Sequence, residues 1–287
     1  MTVLFNRVVE FEVGKPGEEG FVFSELKIGF SITKTADSNA NPGKVTVTNL
    51  AKTTRDRLKD EGLVYKLRAG YAGINEAPLV KEISSGDILD ISTQRSSTEM
   101  ITTFKIGEGT KALAETTLDK SFEEGISFDS IVGEFTKALD VTKGVIEGIT
   151  QEVFNSGYSA TGKVKDRLDE LTAKQGLEWS VQNGELHILP QNGKTAEQAV
   201  LLTQETGLLK VFREKKNQPG QKALVDLVRF SCLLNPDIKV GREIAIFSTI
   251  DEIGDSSISP AFFKVRKVTF SGDNKDGKFT CEGEAIE

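Results

Sequence analysis

The chain has 287 residues, 38% of them apolar and 28% charged, a balance ordinary for a globular protein of two or three domains. Its formal net charge of −7 argues against a surface that grips nucleic acid, which needs a basic face; it does not exclude a protein that lets DNA pass by, and plain solubility explains it equally well. No apolar run approaches the roughly 20 residues of a membrane-spanning helix, and the two cysteines, Cys232 and Cys281, lie outside any CxxC and predict neither a metal cage nor a disulfide framework.

Residues 3–12 and 21–34 read as strands, with Val9, Phe11 and Val13 alternating, then Leu26, Ile28 and Phe30. The opening MTVLFNRVVEFEVG lacks a charged leader, a long apolar core and a cleavage site, so no signal peptide or membrane anchor is expected, and folding in a reducing cytoplasm is. GKPGEEG at 14–20 reads as a plain turn rather than a phosphate loop, because no strand-to-helix context follows it. The next strand is expected to end in a polar loop holding Asn39, Asn41, Pro42 and Gly43, where Pro42 and Gly43 turn the chain. Val45 and Val47 then share a strand face, and Asn49 is expected to cap a short helix carrying Leu50, Thr54 and Leu58 on one side. Gly62 suits the left-handed stop of that helix, and Leu63, Tyr65 and Leu67 alternate into Arg68-Ala69-Gly70-Tyr71. Residues 79–106 read as three more strands with a turn at Gly86-Asp87. An N-terminal β-barrel over 1–108 follows.

The middle of the chain changes period. Phe128, Ile131, Val132, Phe135 and Leu139 form a helical stripe, with Ser127 as N-cap and Asp129 near the positive end. A second helix is expected over 163–175, with Val164, Leu168 and Leu171 as its apolar side and Gly176 at its end. Leu177, Trp179 and Val181 alternate into Asn183-Gly184, a strong two-residue hairpin signal, and Leu186 and Ile188 return. These elements predict an α+β domain over 109–192. The remainder, 193–287, reads as a second β-barrel: a linker at 191–198, a strand from Leu208, a basic loop at 213–222, a strand ending at Asn235-Pro236, and a hairpin across GDNKDG at 272–277. The fold class is therefore β-rich α+β, two small β-barrels with a small α+β domain between them.

Few residues suggest chemistry. Gly157 to Lys163 fits the GxxxxGK of a nucleotide-binding loop, but Val164 stands where a magnesium-holding hydroxyl belongs and no apolar strand precedes it. His187 is the only histidine and has no second imidazole for a metal site. Trp179 reads as core rather than a sugar platform, and the basic loop as a hairpin tip or partner contact rather than a phosphate site. With 43 acidic residues, chance carboxylate pairs carry no weight. No catalytic, cofactor-binding or metal residue is assigned, and no cofactor.

One stretch carries more. KT…N…NPGKVTVTNLAKTTRDRL…V.LRAGY, followed by Gly86-Asp87-Ile88, resembles the opening of baseplate hub proteins of contractile phage tails, a fold shared with R-type pyocins and the N-terminal region of type VI secretion spikes. KSFEEGISFDSIVGEFTKAL resembles that family's middle segment, GKVKDRLDELTAKQGLEWSVQNGELHIL its helix and hairpin, and VRFSCLLNPDIKVGREIAIFS with FKVRKVTFSGDNKDGKFTCEGEAI its closing barrel. The resemblance implies tail-tube-like barrels and a homotrimer whose six barrels make a pseudo-sixfold ring. That ring would join the tail tube, or a tube initiator protein, to a central spike among other baseplate subunits. DNA would pass through its lumen without specific binding. The resemblance also implies assembly in the host cytoplasm, a place in the virion baseplate, a spike carried by a separate chain and no enzymatic role. A different reading is a carbohydrate-binding or peptidoglycan-hydrolysing tail protein, with Trp179 and acidic residues in a groove. A third is a nucleotide binder that uses Lys163.

Overall fold

Period-two alternation puts most of this chain into strands. The computed structural model describes residues 6–59, 61–73, 79–191, 193, 195–217, 224–248, 253 and 259–287. The N-terminal block holds β1 (Arg7–Gly14), β2 (Phe21–Phe23), β3 (Ile28–Thr35), β4 (Asn41–Thr48), α1 (Lys52–Arg57), β5 (Val64–Tyr71), β6 (Leu79–Ser96) and β7 (Glu99–Glu108). These strands lie in the order β3-β4-β7-β6-β5-β1-β2, all antiparallel. Phe11 on β1 and Phe104 on β7 are separated by two intervening strands, yet their rings meet edge to face at 5.0 Å. The sheet therefore curls around its own apolar face. Each of these fully buried rings contributes on the order of 1.5–3 kcal/mol by leaving water.

Four expectations fail in this block, each for a local reason. α1 closes at Leu58, so Gly62, at a φ of 75° four residues further on, turns the chain toward β5 rather than stopping the helix. The polar turn lies at 36–40, where the Asp37 carboxylate accepts from the Thr35 hydroxyl at 2.8 Å and the Asn39 N–H at 3.1 Å. Pro42 and Gly43 instead sit inside β4, and Pro42 lies beyond the last β3 pairing, Ile32 opposite Gly43, so its missing N–H breaks no rung there. Asn49 caps no helix. It takes a left-handed φ of 59° and ties itself to β7: its N–H donates to the Met100 carbonyl at 2.7 Å and its Oδ1 accepts from the Met100 N–H at 2.9 Å. Ala51 begins α1 without a side-chain cap. Finally, Gly86-Asp87 is no turn. β6 runs through it for 18 residues, and the β6–β7 register slips between Ile88 and Asp90, bending the strand rather than reversing it. The reversal comes at Ser97, φ 55°, before β7.

The middle segment contains α2 (Thr110–Glu115), β8 (Thr117–Phe122), β9 (Ile126–Ser127), α3 (Phe128–Leu139), β10 (Thr142–Ile146), β11 (Val153–Phe154), β12 (Tyr158–Lys163), α4 (Val164–Ala173), β13 (Leu177–Gln182) and β14 (Glu185–Pro190). The Ser127 hydroxyl accepts from the Ser130 N–H and starts α3, and Asp140 closes it at a φ of 54°. Asn183 and Gly184, at φ 52° and 74°, make the β13–β14 turn. The stripes of α3 and α4 bury Phe128, Phe135, Val164 and Leu168 against β13 and β14 in a hydrophobic cluster of their own. The long-range β8–β12 and β9–β11 pairs are additions to the expected elements.

The C-terminal block adds β15 (Val200–Leu202), β16 (Leu208–Asn217), β17 (Leu224–Leu233), β18 (Glu243–Ile246), β19 (Ala261–Asp273) and β20 (Phe279–Ile286). Its order is β16-β17-β20-β19, and the Arg213 guanidinium of β16 lies 5.7 Å from the Phe263 ring of β19, so this sheet curls as well. β19 then pairs antiparallel with β3, Phe270 opposite Ile32, and the two blocks become one 13-stranded sheet with one continuous apolar cluster. Tyr71 of β5 meets Phe279 of β20 at 5.3 Å. At the β19–β20 turn, Arg7 donates to the Asp273 and Asp276 carbonyls, and Asn274 Oδ1 accepts from the Ile28 N–H at 2.8 Å.

Candidate functional site

The β13–β14 hairpin reaches both β blocks, and buried charge holds it at each contact. At its tip, the Asn183 N–H donates to Glu108 Oε1, and Lys34 Nζ donates to Asn183 Oδ1 at 2.5 Å. Lys34 and Glu108 pair at 3.3 Å with side chains 5% and 1% exposed. Asn41 Nδ2 donates to Glu108 Oε2 at 2.9 Å and to the Val181 carbonyl at 3.1 Å, and Gln182 Nε2 donates to the Thr35 carbonyl at 2.9 Å. At the base of the hairpin, Glu178 accepts from Lys264 at 2.7 Å and from Arg266 at 2.5 Å, while Lys264 also reaches the Pro190 and Gln191 carbonyls. Burial lowers the pKa of both Lys34 and Lys264, against the pull of their glutamate partners. Sequence reasoning missed this joint. Its one local signal is that Lys34 continues the phase of Ile28, Phe30 and Ile32 along β3.

Between the hairpin and the blocks lies a cleft of about 150 Å³ lined by Glu82, Glu178, His187, Glu197 and Arg242 among others. His187 Nδ1 accepts from the Val145 N–H at 3.1 Å, so the neutral ring carries its proton on Nε2, which faces Glu185 at 3.5 Å. Burial lowers its pKa. Arg242 is taken up by Glu197 at 3.2 Å and by the Gln198 and Asp237 carbonyls. The arrangement fixes three pieces of chain relative to each other. Among the described residues no group of three or more His, Cys, Asp or Glu side chains is placed to hold a metal.

The lures of the sequence resolve structurally. Tyr158 to Lys163, the body of the GxxxxGK match, is strand β12 laddered to β8, Lys163 opposite Thr117, so its backbone does not form a phosphate cradle. Trp179 is 3% exposed, and its Nε1 donates to Asp169 Oδ1 at 2.8 Å, which places it in the core rather than in an open groove. The basic loop is in part strand: β16 extends to Asn217, and 218–222 lie outside the described residues.

Among the described residues the 13-stranded sheet has three terminal strands: β16 and β2 at the ends of its main path, and β15, which pairs only with β18 on a branch from β19. β16 exposes Leu209 (56%) and Phe212 (48%) alongside Lys210 and Arg213, with Lys210 Nζ 4.5 Å from the centre of the Phe212 ring. A shallow groove beside them is floored by Phe230 and Lys267. β2 exposes Val22 (62%), next to the turn carrying Glu18 and Glu19.

No protein-family profile and no curated protein sequence matches this chain. Its fold, however, is shared along nearly its whole length with solved tail proteins. The 43 kDa tail protein of prophage MuSo2 from Shewanella oneidensis aligns over 98% of both chains at 10% identity, TM-score 0.66. A tail protein from Neisseria meningitidis covers 99% of this chain and 97% of its own at 9% identity, TM-score 0.68. An Escherichia coli component of the type VI secretion system, described as similar to the phage T4 tail proteins gp27 and gp5, covers 96% of this chain and 76% of its own at 11% identity, TM-score 0.59. The chain shares the fold of these tail proteins, consistent with the hub-type fold that its sequence resembles.

Proposed function

We propose that this protein is a structural subunit of a tail baseplate, a hub that closes as a homotrimer into a pseudo-sixfold ring between the tail tube and a central spike. The observation that carries the reading is the end-to-end fold likeness to phage tail proteins, covering 98% of this chain and 98% of the Shewanella protein. The division into β units over 1–108 and 193–287 with a middle unit over 109–192 belongs to the same reading and supplies two lobes per copy. The terminal strands β16 and β2, unpaired on one side among the described residues, support it further, because strand edges join subunits and a head-to-tail contact between unlike edges closes into a ring. The basic side chains of β16 and the Glu18-Glu19 turn beside β2 are complementary in charge. In this reading the partners are the tube or its initiator, the spike and neighbouring baseplate subunits. The net charge of −7 lets DNA pass without holding it. Electron microscopy of the purified assembly tests the proposal: six lobes around a hole with threefold symmetry support it, and a particle without a ring contradicts it.

A further inference from the structure

The two cysteines, with 48 residues between them in the chain, stand directly opposite each other in the antiparallel β17–β20 ladder, Cys232 against Cys281. Opposed residues of such a ladder point to the same face and keep their Cα atoms about 4.5–5.5 Å apart. That separation falls inside the roughly 4.4–6.8 Å that a disulfide spans. Both side chains are buried, Cys232 at 1% and Cys281 at 0% exposure, in the apolar cluster that the two β blocks share. The Asn235 N–H donates to Cys281 Sγ at 3.2 Å, and burial together with the neighbouring Cys232 thiol pushes the Cys281 pKa up. Protonated, enclosed thiols react slowly, so the pair survives as thiols in a reducing compartment.

We propose that Cys232 and Cys281 form a redox modification site, closing under a peroxide-class oxidant into a cross-strand disulfide that staples β20 to β17. In the first step a thiolate of the pair attacks one oxygen of hydrogen peroxide, giving a sulfenic acid and, after proton uptake, water. The second thiol then attacks that sulfur, forming the S–S bond and releasing a second water. Two thiols are oxidised and one peroxide is reduced. The staple holds the middle of the sheet, because β20 lies between β17 and β19, and β19 carries the only ladder joining the blocks among the described residues. Its use, a sheet locked after a particle leaves the reducing host, rests on the tail-hub reading; the chemistry does not.

The test treats the full chain with hydrogen peroxide, unfolds it in the presence of an alkylating reagent and maps the peptides by mass. A parallel sample is refolded from denaturant in a mixture of oxidised and reduced glutathione, which removes access as a limit. The proposal expects a Cys232–Cys281 linked peptide lighter by two hydrogens in both samples. It also expects a Tm raised by several degrees and returned by dithiothreitol, and neither effect in Cys232→Ser. Two alkylated cysteines in the refolded sample, or separate oxidation of each thiol without a link, would overturn it. A link formed in a chain that never assembles would count against the ring alone, and a ring with free thiols against the disulfide alone.

Discussion

Lys34 and Glu108 meet at 3.3 Å with almost no solvent around either side chain, where the middle hairpin seats on the N-terminal sheet. Glu108 also receives Asn41 and the Asn183 N–H, so its removal strands one buried cation and two donors. Glu108→Ala is expected to cost about 3–5 kcal/mol, the usual cost of leaving one partner of a buried pair behind. Lys81 and Asp237 are closer, at 2.6 Å, but their side chains are 52% and 26% exposed. Lys81→Ala should therefore change stability by less than about 1 kcal/mol. Urea unfolding of the two variants checks that burial, not distance, sets the difference.

Gly70 explains part of the Arg68-Ala69-Gly70-Tyr71 motif. Its φ is +156°, and a Cβ there would stand 1.7 Å from the Leu79 carbonyl oxygen of the neighbouring strand. Backbone cannot yield as a flexible side chain would, so Gly70→Ala must separate β5 from β6. A loss above about 2 kcal/mol is expected, read as a lower urea midpoint or as insoluble protein. Gly62→Ala, left-handed but with open space around it, should cost less, about 1 kcal/mol.

Tyr71, packed on Phe279, has its pKa pushed up to about 12 by burial, opposed by the Arg7 guanidinium. Its unfolded phenol ionises near 10. Between these values the folded chain holds a proton that the unfolded chain has lost, so this contribution is complete below the lower value and falls as pH rises through the window. Tyr65 shifts in the same direction by burial. Tyr71→Phe should therefore shrink, without abolishing, the loss of urea stability between about pH 10 and about pH 12; an unchanged slope would contradict the assignment.

Much of the local structure was legible in the sequence. Asn183-Gly184 between alternating segments specified the hairpin, and Ser127 ahead of a helical apolar stripe specified α3. Turn-forming residues mislead where a competitor acts: Asp37, not Pro42-Gly43, organises the turn after β3, and β6 runs on through Gly86-Asp87 and bends at the register slip between Ile88 and Asp90. The union of the two β blocks was not legible. Thr33 and Thr269 bond across the β3–β19 seam at 3.0 Å from positions 236 residues apart, and no local pattern encodes such a pairing. The hairpin joint was half-legible, since Lys34 in phase with the core of β3 announced a buried cation but not its partner. The free edges carry no local signal, because an edge is defined by the strand that does not pair with it.

Leu209 and Phe212 on β16 are apolar side chains left in water. In the proposed ring they lie in the contact between copies, and Phe212→Glu is expected to disperse the assembly. Thermal unfolding of the single chain should stay within about 0.5 kcal/mol of the parent, as for other exposed positions. An assembly unaffected by Phe212→Glu would move the contact away from this edge.

Trimerisation is read from mass in solution, by light scattering after size exclusion across a concentration series. A species near three times 31.3 kDa is expected with the unmodified chain and lost with Phe212→Glu. A chain that stays at 31.3 kDa at every concentration, alone and when co-expressed with tube and spike proteins, would contradict it.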